Sequence, residues 1–125
     1  MRPLALIIVA DDSSTVRAVV CAMLGKLGHT VVEACDGNEC IAKLSTGNPA
    51  LVITDIFMPQ KDGIETILEI RRDWPGVKIL AISGGRSIRD LRQLSQAKDL
   101  GADQILSKPF AAHHLIDAVN SLLPG

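Results

Sequence analysis

Five short apolar runs, each followed by a stretch of helical periodicity, constrain this chain more than any other feature. The runs cover residues 4–10, 30–34, 51–55, 77–82 and 104–107. Continuous apolar runs of this length suit strands buried on both faces, as in a parallel sheet. Val16, Val19, Val20, Met23, Leu24 and Leu27 recur at helical spacing; Ser13-Ser14 can cap that helix and Gly28 can stop it. After an Asp36-Gly37 turn, residues 38–45 predict a second helix carrying Ile41, Ala42 and Leu44. Asp62-Gly63 opens a third, with Ile64, Ile67, Leu68 and Arg71 along one side, ended by Trp74-Pro75-Gly76. Residues 87–100 form a fourth, with Ile88, Leu91, Leu94 and Ala97 in register, and residues 111–122 a fifth. Five βα units imply a doubly wound α/β fold, a parallel sheet with helices on both faces.

In such folds the ligand crevice lies beyond the carboxyl ends of the strands. The first run ends in Asp11-Asp12, the third in Asp55, the fourth in Ser83 and the fifth in Lys108. With strand order 2-1-3-4-5, the first and third strands flank the switch point, which places Asp11, Asp12 and Asp55 together. Each residue alone has an ordinary reading. An Asp after a strand often caps a turn, paired acids can cap a helix, Ser83 can be a turn serine, and a lysine is usually solvated. Four of five strand ends carrying groups suited to phosphate or metal is harder to assign to chance.

Composition excludes several alternatives. The chain has 125 residues, 47% hydrophobic and 22% charged, with net charge −1. That length suits one domain spanning 1–125 with a real core, and the balance gives no basic footprint for nucleic acid. No apolar run reaches membrane-spanning length. The apolar start runs into Asp11-Asp12 without a small-residue cleavage site, so it is not a signal peptide, and a cytoplasmic location is expected. Cys21, Cys35 and Cys40 are odd in number and lack a Cys-x-x-Cys pair, which suits reduced thiols; Cys35 and Cys40 read as small core or half-buried groups. Phe57, Trp74 and Phe110 are too few aromatics for a flavin site or a base-stacking platform. Trp74 reads as hydrophobic cover at a helix end, and His113 and His114 as solvated.

Three carboxylates in one crevice repel one another and raise each other's pKa. A hard divalent cation cancels that cost; magnesium takes oxygen ligands and keeps several waters. Lys108 can pair with the acids or with phosphate oxygens, and Ser83 can hydrogen-bond an added oxygen.

Asp11-Asp12, Asp55 with Met58-Pro59 and Asp62-Gly63, Ser83, and Lys108-Pro109-Phe110 resemble the signature of response-regulator receiver domains of two-component signalling, in order and over essentially the whole chain. The resemblance implies a flavodoxin-like fold in which Asp55 accepts a phosphoryl group. It implies magnesium held by Asp11, Asp12, Asp55 and the Phe57 carbonyl, with Asp12 ahead of Asp11 as the direct ligand. Ser83 becomes the switch hydroxyl, Lys108 a contact to a phosphoryl oxygen, and Lys108–Pro109 a cis peptide. The implied donor is a histidine kinase or a histidine phosphotransfer protein. The sequence departs from the family at Ile105, where an aromatic is usual, so rotation of an aromatic cannot carry the signal. Readout is then expected through residues 83–86, with Gly84 and Gly85 giving backbone freedom, and the start of the fourth helix.

Two other classes fit the residues less well. A magnesium-dependent phosphatase or phosphotransferase with an Asp nucleophile usually places it after the first strand and adds a cap domain. An interaction module that is never phosphorylated would not need the complete acid set. Pro124-Gly125 suits either a terminus or the start of a linker, so a stand-alone receiver and a piece of a longer protein both fit. The first helix carries only Arg17 and Lys26 as charges, and Ala18, Cys21, Ala22 and Gly25 point away from its core pattern, which suggests a partner face.

Overall fold

The computed structural model describes residues 5–58, 61–84 and 88–123, and the side chains of Ile88, Arg89 and Asp90 are not among what it describes. Met1–Leu4, Pro59–Gln60, Gly85–Ser87 and Pro124–Gly125 lie outside the described residues, and with them part of the predicted first strand and of the predicted 83–86 hinge.

The alternation is realised as β1 (Leu6–Ala10), α1 (Ser14–Lys26), β2 (Thr30–Ala34), α2 (Gly37–Thr46), β3 (Leu51–Asp55), α3 (Gly63–Asp73), β4 (Lys78–Ser83), α4 (Ile88–Leu100), β5 (Gln104–Ser107) and α5 (Ala112–Leu122). The strands pair in parallel in the order β2-β1-β3-β4-β5, as expected. β3 is central, and all five of its residues are buried, which explains its uninterrupted apolar character.

Alternate strand residues feed two cores. Ile8, Val52 and Ile79 face α2, α3 and α4, where Leu44, Ile67, Ile70 and Leu94 meet them. Ile7, Ile53 and Leu80 face α1 and α5, where Val20, Leu24, Leu115 and Val119 cover them. Fully burying each such side chain contributes roughly 1.5–3 kcal/mol.

Helix starts follow the capping residues. Ser13 accepts from the Val16 amide, Asp36 from Glu39 and Asp62 from Glu65, each satisfying one orphan donor of its helix at roughly 1 kcal/mol. After α1 the chain turns at Gly28, whose φ of 90° is a conformation that side-chain-bearing residues avoid.

Several helix faces are rotated from the predicted ones. Val19 on α1, Leu27 at its C-cap, Leu68 on α3 and Leu91 on α4 are exposed, while Ile70 is fully buried. Cys21, expected to point outward, packs at the edge of the α1–α5 core, and Cys35, expected to be at least half-buried, is exposed. Cys40 is buried as expected, and burial pushes its thiol up to about 12. Trp74 packs against the α2–α4 core from the C-terminal end of α3.

Arg71, in register with apolar residues, is a strap at the end of the sheet away from the acids. Its Nε donates to the Gly101 carbonyl at 2.7 Å and Nη1 to the Val77 carbonyl at 2.7 Å, while Nη2 bonds Asp103. Asp103 also accepts from the Ile79 amide, so one ion pair ties α3 to β4 and β5.

Candidate functional site

The carboxyl ends of β1, β3, β4 and β5 converge. Asp55 ends β3 and is 6% exposed; Asp11 follows β1 and is fully buried; Asp12 is exposed. Carboxylate oxygens of all three lie within 4.8 Å of one another. Lys108 Nζ donates to Asp11 Oδ2 at 3.0 Å and to Asp55 Oδ2 at 3.1 Å. The sequence-predicted acids and lysine are thus together in space.

Local backbone fixes each group. The Asp11 amide donates to the Ala34 carbonyl at 3.1 Å, and Asp11 Oδ1 accepts from the Ser13 amide at 2.9 Å. Asp55 Oδ1 accepts from the Phe57 amide at 3.3 Å, so the loop after β3 folds back onto the carboxylate. Gly63 lets α3 start against that loop: a Cβ there would stand 2.3 Å from the Asp55 carbonyl oxygen. The Lys108 amide donates to the Ser83 carbonyl at 2.6 Å, joining the ends of β4 and β5. The Lys108–Pro109 peptide is cis, as the motif implied.

Ser83 is fully buried, and its Oγ has no hydrogen-bond partner among the described residues. A buried hydroxyl without a partner costs roughly 1–3 kcal/mol, so Ser83 carries unused hydrogen-bonding capacity at the end of β4.

Burial pushes the Asp55 carboxyl up to about 6, and the neighbouring Asp11 charge adds to that, while Lys108 and the Phe57 amide pull it down. Burial works against the Lys108 ammonium, but its hydrogen bond to Asp11 and the nearby Asp55 charge outweigh it and hold its pKa above the usual lysine value. With all four groups ionised, three carboxylates and one ammonium leave a formal charge of −2 in the pocket. A divalent cation matches that charge, and an all-oxygen donor set with the exposed Asp12 at its rim fits a hard ion that keeps waters.

A family model, the response regulator receiver domain, matches residues 7–120. The chain belongs to the response-regulator receiver family. PilG of Pseudomonas aeruginosa is 30% identical over 121 residues, 95% of this receiver and 87% of PilG. The transcriptional regulatory protein PdtaR of Mycobacterium tuberculosis is 37% identical over 116 residues, 90% of this receiver and 54% of PdtaR. The receiver therefore spans about half the length of the transcriptional regulators it matches. The receiver domain of NtrX from Brucella abortus superposes with a TM-score of 0.88 at 29% identity, covering 94% of this receiver and 97% of that chain. The chemotaxis response regulator CheY4 of Vibrio cholerae gives 0.85 at 28% identity, covering 97% and 100%.

One residue beside the site was not read from the sequence. Arg17, on the first turn of α1, reaches the Asp11 carbonyl and Glu33. The only signal was an arginine shortly after two acids, which fits a solvated helix equally well.

Proposed function

We propose that residues 1–125 form one receiver domain in which Asp55 takes a phosphoryl group from a phosphohistidine on a kinase or phosphotransfer protein. The observation that carries this reading is the buried Ser83 hydroxyl without a partner, on the strand paired with the one that ends in Asp55. An Asp55 oxygen forms the new bond to phosphorus as the P–N bond of the donor breaks, and the imidazole leaves. Lys108, already bonded to Asp55, donates to a phosphoryl oxygen, and Ser83 donates to another. Asp11, Asp12, Asp55 and the Phe57 carbonyl would hold magnesium, which when bound neutralises phosphoryl charge. Positioning and charge do most of the work. The chain is then a switch rather than an enzyme acting on other molecules, promoting only its own phosphorylation and dephosphorylation in the cytoplasm.

The donor docks on α1. Val19 is 47% exposed, and a groove of about 290 Å³ runs between Thr15, Val19 and Met23 on α1 and Lys108 to Phe110 after β5. Its apolar walls open beside Lys108, the same lysine that touches Asp55. No helix among the described residues is long and apolar enough to cross a membrane. The acyl phosphate adds about −1.5 to −2 of charge. Ser83 closes onto it, and the change travels along the segment after Ser83 to α4. Ile105, stiff at its first torsion and 37% exposed, packs passively.

Amide shifts on adding magnesium and beryllofluoride, a phosphoryl mimic, test this reading. Large changes are expected at Ser83, Lys108 and the start of α4, and small ones around Ile105. Changes centred on Ile105, or unaltered by Ser83→Ala, would contradict it.

A further inference from the structure

Arg17 is a charged side chain, only 16% exposed, that the phosphoryl chemistry leaves unused. Its Nη1 donates to the main-chain carbonyl of Asp11 at 2.5 Å, and its Nε donates to Glu33 Oε1 on β2 at 3.1 Å. That carbonyl belongs to the peptide joining Asp11 to Asp12. Asp11 is held elsewhere too, through its amide, its Oδ1 and its Oδ2. Asp12 differs. Its carboxylate is exposed and has no hydrogen-bond donor among the described residues, so the peptide it is carried on is the part of it that the protein holds. Tilting the Asp11–Asp12 peptide would swing that carboxylate away from Asp55.

We propose that Arg17 is a positioning residue for the cation site, clamping the Asp11–Asp12 peptide so that the Asp12 carboxylate faces Asp55. Glu33 neutralises the guanidinium that does so. This rests on the reading that the site holds magnesium. Positioning and bare charge make opposite demands. Because Glu33 pairs with the guanidinium, removing the arginine leaves that carboxylate unpaired near the site, so on charge alone magnesium binding would tighten. Deleting the clamp loosens it, because groups that orient a ligand commonly contribute tenfold or more to metal affinity.

Magnesium titration of the full chain, followed by calorimetry and amide shifts, separates the two. Arg17→Met is expected to weaken magnesium about tenfold and, before any metal is added, to move the Asp12 and Ser13 amide resonances. Arg17→Lys keeps the charge and one donor and should fall between Arg17→Met and the unaltered chain. Magnesium binding by Arg17→Met as tight as or tighter than the unaltered chain overturns the proposal. If Arg17→Met does not fold, affinity of Arg17→Lys equal to that of the unaltered chain overturns it. An unaltered chain that binds no magnesium overturns the magnesium reading as well, whereas normal binding with an indifferent Arg17 variant overturns the clamp alone.

Discussion

The Lys108 ammonium stands 3.1 Å from Asp55 Oδ2 although 53 residues separate the two in the chain. The same ammonium is 3.0 Å from Asp11 Oδ2, so one cation is shared by two buried carboxylates. Lys108→Met removes that sharing. The Asp55 carboxyl should then titrate above its present value of about 6, because Lys108 is the charge that pulls it down. Phosphorylation by a small phosphodonor should slow by about 100-fold, the scale expected for losing one preorganised donor to a developing anion. Rate measurements on the two proteins at saturating magnesium check this; equal rates would remove Lys108 from the chemistry.

Burial of Asp55 also sets a pH dependence. Its carboxyl is raised from 3.8 to about 6 in the folded protein, so the folded state binds the proton more tightly than the unfolded chain. The associated stability is fully present below the unfolded pKa and is lost as pH rises through about 6. Without metal, this residue should make the protein about 1–2 kcal/mol less stable at pH 7.5 than at pH 5. Urea unfolding at both values, with chelator present, measures the slope. Asp55→Asn should lack this contribution, and magnesium should flatten it.

Arg71 acts on stability alone. Arg71→Met strands the Val77 and Gly101 carbonyls and leaves Asp103 without its cation. A loss of roughly 3 kcal/mol is expected on unfolding. Phosphorylation of the protein that remains folded should be unchanged, since Arg71 lies at the opposite end of the sheet from Asp55.

Docking on α1 is separable from chemistry. Val19→Glu and Ala22→Glu place a charge on an exposed face without touching Asp55. Transfer from a phosphohistidine partner should fall at least tenfold, which corresponds to about 1.4 kcal/mol, while small-donor phosphorylation persists. Loss of both routes, or of neither, would place the donor elsewhere.

The sheet and the site were legible because both follow from local chemistry. An uninterrupted apolar run reports a strand covered on two faces, and β2, β3 and β5 match the predicted bounds residue for residue. Polar residues ending those runs had to meet at one edge once the strands were parallel. Helix faces were harder to read. Val19, Leu68 and Leu91 fit the apolar spacing yet are exposed, because spacing gives a face but not which side of it meets the sheet. Arg71 fell among apolar positions because its partners, Gly101 and Asp103, are 30 and 32 residues away. Arg17 was missed for a similar reason: Glu33 is 16 residues off and on another element.

Treatment with a small phosphodonor, followed by intact-mass measurement and mapping of the modified residue, tests the central claim most directly. The expected result is one added phosphoryl group on Asp55, formed only with magnesium present and absent from Asp55→Asn. An Asp55→Asn protein that gains the same mass, or an unaltered chain that is phosphorylated equally without magnesium, would contradict it.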